Sequence, residues 1–243
     1  MKNRMNIAAI AVAAASGMAF AGPVDVQFVG SGAFTAGKVY QGGGNLGNLA
    51  VGQLKHEIDG DLTYTFCIEL DQTAGPGSGL ASFSHESLTA GSAMNAVQAD
   101  ALNRLANATV SGFGNGSQTL GQVFFAAGAG NRASAAFQAT IWEIVYDFSD
   151  FTSGASDNAL LTGGDITFAP AFHGNSDFNA AFAAFRSAAL DVNNSTAGSL
   201  SAIRSGDFQD QVLYSFAPNA IPTPAAAGMA GLSLGLLGVR RRR

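Results

Sequence analysis

Leu62-Thr-Tyr-Thr-Phe-Cys-Ile-Glu-Leu70 alternates large apolar residues with polar or small ones along its whole length. A period of two marks a strand with one face on a core, so Leu62, Tyr64, Phe66, Ile68 and Leu70 form the inward row. Thr63, Thr65, Cys67 and Glu69 then form the other row, and the thiol of Cys67 points away from the apolar face. Val24-Asp-Val-Gln-Phe-Val29 alternates likewise, and Asp207 to Phe216 reads as a closing strand that contains Val212-Leu-Tyr-Ser-Phe216. Gly42-Gly-Gly44, Gly75-Pro-Gly-Ser-Gly79 and Gly112-Phe-Gly-Asn-Gly116 carry turn chemistry between these segments. Apolar residues recur at helical spacing over 92–106, 136–148 and 178–192. Strands first, helices next and a strand last predict an α+β fold: an antiparallel sandwich or barrel-like β unit with an inserted helical subdomain. No repeat of 20–50 residues is present.

The composition sets the class of partner. The chain has 243 residues, 47% hydrophobic but only 12% charged, with 31 Gly, 18 Phe and a net charge of -5. Twelve Lys+Arg, four of them at the extreme C-terminus, are too few to neutralise a phosphate track, so nucleic acid is excluded as a partner. So apolar a chain is not an acidic disordered tail either. Neutral polar residues carry its solubility, as in exported β-rich proteins.

Both ends of the chain point to export. Lys2 and Arg4 precede an apolar run over 7–15 and the small-x-small pattern Ala19-Phe-Ala21, so residues 1–21 read as a signal peptide. At the other end Pro222-Thr223-Pro224 leads into the apolar stretch 225–239 and then Arg240, Arg241, Arg242 and Arg243. That stretch is shorter than the roughly 20 residues a bilayer span needs, and the flanking residues extend it. The arginines would hold their end on the cytoplasmic side. The tail over 218–243 resembles the PEP-CTERM sorting signal of Gram-negative bacteria, with Thr223 where the family name has Glu. The resemblance implies transient contact with the inner membrane, an exosortase-type processing enzyme as a partner, and a cell-surface or extracellular-matrix destination. The alternative is a retained single-span anchor.

Most residue types that carry chemistry have ordinary explanations. His56, His85 and His173 are scattered, without a His or Cys at metal-ligand spacing, and no metal is expected. Gly128-Ala-Gly-Asn-Arg-Ala133 matches a dinucleotide fingerprint formally, but no alternating βαβ pattern surrounds it, so it reads as a helix-entry loop and no cofactor is expected. Glu69 and Asp71 read as solvated carboxylates. Lys38 and Lys55 could serve an intramolecular isopeptide bond, though no motif supports one. The single cysteine stands apart: in an exported chain it has no internal disulfide partner, and it is buried, paired with another molecule or used chemically.

Tyr64-Thr-Phe-Cys-Ile-Glu-Leu70 together with Phe137-Gln-Ala-Thr-Ile-Trp142 resembles the two signatures of the bacterial Cys-Gln thioester domain, the TQXA-type domain of surface adhesins. The resemblance implies that residues 22–217 form one such domain, with Cys67 and Gln138 as the cross-linked pair. It assigns Trp142, Phe66 and Ile141 to packing around the bond. One position departs from the family pattern: Thr140 stands where Ala is usual and puts a hydroxyl near the bond. In a thioester domain the thiol displaces ammonia from the glutamine carboxamide, and an amine or hydroxyl of a partner later attacks the activated carbonyl. On a helix, Gln138 shares a face with Ile141 and Trp142. The implied function is covalent adhesion to a surface or matrix nucleophile, a protein amine, an amino sugar or a polysaccharide hydroxyl. The reaction happens once per molecule, so the protein is not expected to be an enzyme. Two alternatives stand beside it: a non-covalent structural or carbohydrate-binding matrix protein of the same fold, and a secreted hydrolase with His56 as the base for Cys67.

Overall fold

The computed structural model describes residues 23–75, 79–90, 94–113, 124, 130–196 and 200–214. The signal segment 1–21, the sorting tail with Pro222, Thr223, Pro224 and Arg240 through Arg243, and the end of the predicted closing strand at 215–216 lie outside the described residues.

The fold is α+β. Strands β1 (Pro23–Gln41), β2 (Gly44–Ile58), β3 (Asp61–Cys67) and β4 (Ala81–Glu86) come first, then helices α1 (Ala96–Phe113), α2 (Gly130–Tyr146), α3 (Phe148–Thr152) and α4 (Asp157–Thr162). The short strand β5 (Ile166–Phe168) follows, then α5 (Pro170–His173), α6 (Ser176–Leu190), β6 (Leu200–Arg204) and β7 (Gln211–Tyr214). All pairings are antiparallel, in the order β2-β3-β7-β6-β4-β1, and β1 also pairs with β2, so six strands close on themselves. The long β1 makes closure possible. Along one edge it holds β2 from Val26 to Gln41, while on the other it holds β4 over Pro23–Val26 and β5 over Val39–Gln41. Register shifts at Phe28/Gly30, Ser31/Phe34 and Lys38/Tyr40 bend it around the barrel.

Local sequence explains the tight hairpins that join β1 to β2 and β2 to β3. Gly42 and Gly43 turn β1 into β2 with φ of 54° and 78°, and Asp59-Gly60 turns β2 into β3 with φ of 51° and 90°. Two consecutive left-handed residues are what a tight hairpin requires, and Gly and Asp accept them at least cost.

Helix α2 lies at the centre. Every residue from Ala133 to Val145 is buried, so this helix is covered all round rather than amphipathic. It begins earlier than its apolar periodicity suggests and ends at Tyr146, where the Asp147 carboxylate accepts from the backbone N–H groups of Asp165 and Ile166 at 2.8 and 2.9 Å. Phe66, Phe124, Phe137 and Phe185 pack edge to face and tilted around it, with ring centroids 4.7 to 6.2 Å apart.

The two-row reading of residues 62–70 needs correction. Leu62, assigned to the core row, is 60% exposed, while Thr65, Phe66, Cys67 and Ile68 are all buried. The closed sheet covers one face of β3 at this end and α2 the other, so neither row meets solvent there. Cys67 therefore belongs to the main core cluster, and its thiol is not on an outer face.

Candidate functional site

The site forms where the sheet opens. Strand β2 pairs with β3 only as far as Leu54 opposite Thr65, so two residues further on Cys67 has no strand partner on that edge. The N–H of Ile68 donates to Asp210 O on the β7 side at 2.8 Å, which turns the backbone of Cys67 toward the gap. Helix α2 fills it. Cys67 N donates to Gln138 Oε1 at 2.8 Å, and Gln138 Nε2 donates to Cys67 O at 2.8 Å. One carboxamide thus replaces a strand residue, and it also comes to rest over the residue that carries the only thiol of the chain.

One turn earlier on α2, Ser134 does the same for the neighbouring seam. Its hydroxyl donates to Ala33 O at 2.6 Å and accepts from Gln53 N at 3.1 Å. Gly52 makes room for it: with φ of 140°, a Cβ there would meet Ala33 O at 2.5 Å and Ser134 Oγ at 3.0 Å. Polar side chains at i and i+4 on a buried helix therefore satisfy backbone groups that the diverging strands leave unpaired.

Around the thiol lies a chain of buried polar groups that the sequence reading missed. Cys67 sits opposite Gln211 in the β3–β7 register, and Gln211 Nε2 reaches Cys67 Sγ at 3.8 Å while also donating to Gln209 O at 3.0 Å. Gln211 Oε1 accepts from Thr65 Oγ1 at 3.1 Å, and Thr65 Oγ1 stands 2.9 Å from Nδ1 of His56. His56 Nε2 lies 2.9 Å from Ala74 O, which can only accept, so that nitrogen carries a proton. Burial lowers the His56 pKa, against the raising effect of the Ala74 carbonyl. Both ring nitrogens are engaged away from sulfur, so the thiol–imidazole contact of a cysteine hydrolase is not made. Burial also dominates at Cys67 and pushes its thiol up to about 12, with the Gln211 amide opposing. The sulfur is held as a thiol. The one signal that could have found Gln211 is its place in a predicted strand end, and residue type alone does not distinguish it from the neighbouring Gln209.

Phe66 and Ile141 are buried in the main core, and the Trp142 indole, 2% exposed, lies flat against Phe168 at 6.2 Å. Trp142 and Cys67 line the same cavity. The hydroxyl of Thr140 turns back on its own helix and donates to Ala136 O at 2.8 Å, so it is not directed at Gln138. His85 is apart from the site, its Nε2 2.8 Å from Ser201 Oγ. Among the described residues no group of three or more His, Cys, Asp and Glu could hold a metal ion, and no helix is long and apolar enough to cross a membrane.

Comparisons with protein-family models, with curated proteins and with solved structures find no match to this chain.

Proposed function

We propose that this protein is an exported adhesin whose Cys67 and Gln138 close an internal thioester that captures an amine or hydroxyl of a surface or matrix partner. One observation carries the reading: the Gln138 carboxamide, 71 residues away in sequence, is fixed by two hydrogen bonds on the backbone of Cys67. Fixing both reactants replaces an improbable encounter with a local one.

The chemistry follows from the atoms present. Sγ attacks Cδ of Gln138, the C–N bond breaks, and the thiol proton leaves with ammonia. As the carbonyl becomes tetrahedral, charge develops on Oε1, which already accepts from Cys67 N–H at 2.8 Å; that donor serves as an oxyanion hole. When a partner nucleophile later attacks the same carbon, the same donor acts again and sulfur departs toward Gln211 Nε2. Burial of Trp142 and Phe66 beside the bond keeps bulk water from competing. The reaction is stoichiometric rather than catalytic. The sorting tail and signal segment support delivery to the cell surface or matrix, with exosortase-type processing at the Pro222-Thr223-Pro224 end.

A second reading has an observation of its own. The two hydrogen bonds of Gln138 fully pair the backbone of Cys67, and forming a thioester removes the Nε2 donor and leaves Cys67 O unpaired, at a cost of about 1–3 kcal/mol. On that reading the glutamine is a strand cap and the protein a non-covalent matrix or carbohydrate-binding component. Intact mass of the purified protein under denaturing, amine-free conditions separates the two. A deficit of one ammonia, absent from Cys67→Ala and replaced by an adduct after methylamine treatment, is the result expected for the thioester. A full mass with a free thiol and an intact Gln138 carboxamide would establish the strand cap instead.

A further inference from the structure

Before Leu54, the edge of β2 that faces away from β1 has no strand partner among the described residues. Two sets of hydrogen bonds fix which of its backbone groups point outward. Lys38 O accepts from Ala169 N at 3.0 Å, on the side of β1 away from β2, so the Lys38–Asn48 pair is not hydrogen-bonded. Bonded and non-bonded pairs alternate along an antiparallel ladder. Leu49 and Val51 therefore bond to β1, while Asn48, Ala50 and Gly52 turn their backbone groups the other way. The β3 side gives the same answer. Cys67 N and O both face the gap, so Thr65 faces β2 and its partner Leu54 faces β3; two, four and six residues back, Gly52, Ala50 and Asn48 face the same way as Leu54. Gly52 is buried, whereas Asn48 and Ala50 are exposed.

An exposed edge is a template for another chain, and native sheets blunt it with lysine, with proline or with a cover. Residues 42–54 contain no charged residue and no proline. In front of this edge lies a half-open cavity of about 280 Å³, which runs from Leu49, Ala50 and Leu54 on β2 to Cys67, Leu70 and Ala74 across the gap. None of the described residues lining it carries a charge. We propose that this edge binds an extended, uncharged segment of a partner polypeptide as an added strand. Asn48 and Ala50 offer two donor–acceptor pairs about 7 Å apart, the spacing at which alternate residues of an extended peptide present theirs. A sugar chain carries no amide backbone of that repeat. Ionised side chains on the segment would shed their hydration against walls that hold no counter-charge. The pairing does not depend on the thioester bond.

The full-length protein is titrated with the peptide acetyl-Ser-Thr-Val-Thr-Val-Thr-Ser-amide. Binding is read by the fluorescence of Trp142, the only tryptophan of the chain and a wall of the cavity, and by amide hydrogen exchange. In the free protein the amides of Asn48 and Ala50 should exchange fast and those of Leu49 and Val51 slowly, and the peptide should protect the first pair. N-methylating the peptide one residue at a time should weaken binding about five- to tenfold at alternate positions and little between them. Ala50→Pro removes an N–H that β1 does not use, so the variant should fold and lose the peptide. Protection of Asn48 and Ala50 in the free protein would overturn the inference, because another segment or a second copy would then hold the edge. It would equally be overturned by the absence of a saturable response to the peptide, by N-methyl losses that do not alternate, by undiminished binding to folded Ala50→Pro, or by a response to a soluble dextran in place of the peptide.

Discussion

Opening the proposed thioester with methylamine should destabilise the protein by about 4 kcal/mol. The bond joins residues 71 positions apart, and a cross-link over a loop of that length removes about 4 kcal/mol of conformational freedom from the denatured chain. Methylamine leaves a trans N-methyl amide at residue 138, whose methyl takes the place of the hydrogen that bonded Cys67 O, so Cys67 O lacks that donor both in the thioester and in the adduct. The loss therefore falls on the unfolded side. For a domain of this size it corresponds to a fall of about 8–16 °C in Tm. Urea unfolding followed by Trp142 fluorescence, with each sample's mass checked, measures it. The untreated protein should also show a smaller m-value, because its denatured state is tied and exposes less surface. Samples with a confirmed adduct that unfold within about 1 kcal/mol of the untreated protein would refute the loop-entropy argument.

Glu143 is buried with both carboxylate oxygens unpaired, and its pKa is raised to about 9, first by burial and then by Asp147, with Arg186 opposing and Asp150 adding. The folded state therefore holds a proton that the unfolded state releases above its ordinary value, so stability should fall as pH rises from about 4.5 to 9, by up to about 1.4 kcal/mol per unit; Glu143→Gln should flatten that slope in urea titrations, and an unchanged slope would assign the pH dependence elsewhere. Gln211→Leu removes the N–H that faces Cys67 Sγ and should slow methylamine opening about tenfold in a mass-resolved time course; an unaltered rate would remove Gln211 from the mechanism. Gly52→Ala places a Cβ 2.5 Å from Ala33 O and 2.8 Å from Phe34 Cα at a φ of 140°, which should cost about 3 kcal/mol or more. Unfolding within about 1 kcal/mol of the parent protein would show that this seam yields easily.

The alternation over 62–70 and the glycine turns were enough to read an antiparallel β unit, and helical spacing located the cores of α1, α2 and α6, with ends displaced by a few residues. Strand β2 was not legible: its first half, Gly44-Asn-Leu-Gly-Asn-Leu-Ala50, has little β propensity, and its pairing with the long β1 holds it in the sheet. For the same reason β1 was visible only over its first alternating residues. Cys67 was placed on the wrong kind of face because periodicity identifies two rows but not what covers each. At this end of β3 the closed sheet and α2 cover both.

By itself the sequence determined the class of fold, since alternation is a local property, and its resemblance to a thioester domain nominated Cys67 and Gln138. Tertiary structure alone decided how that pair meets. The gap left where β2 parts from β3, the entry of α2 into it, and the Gln211–Thr65–His56 chain behind the sulfur all depend on contacts between distant segments. Such contacts follow from which backbone groups remain unpaired once the sheet has closed, and that is a property of the assembled fold.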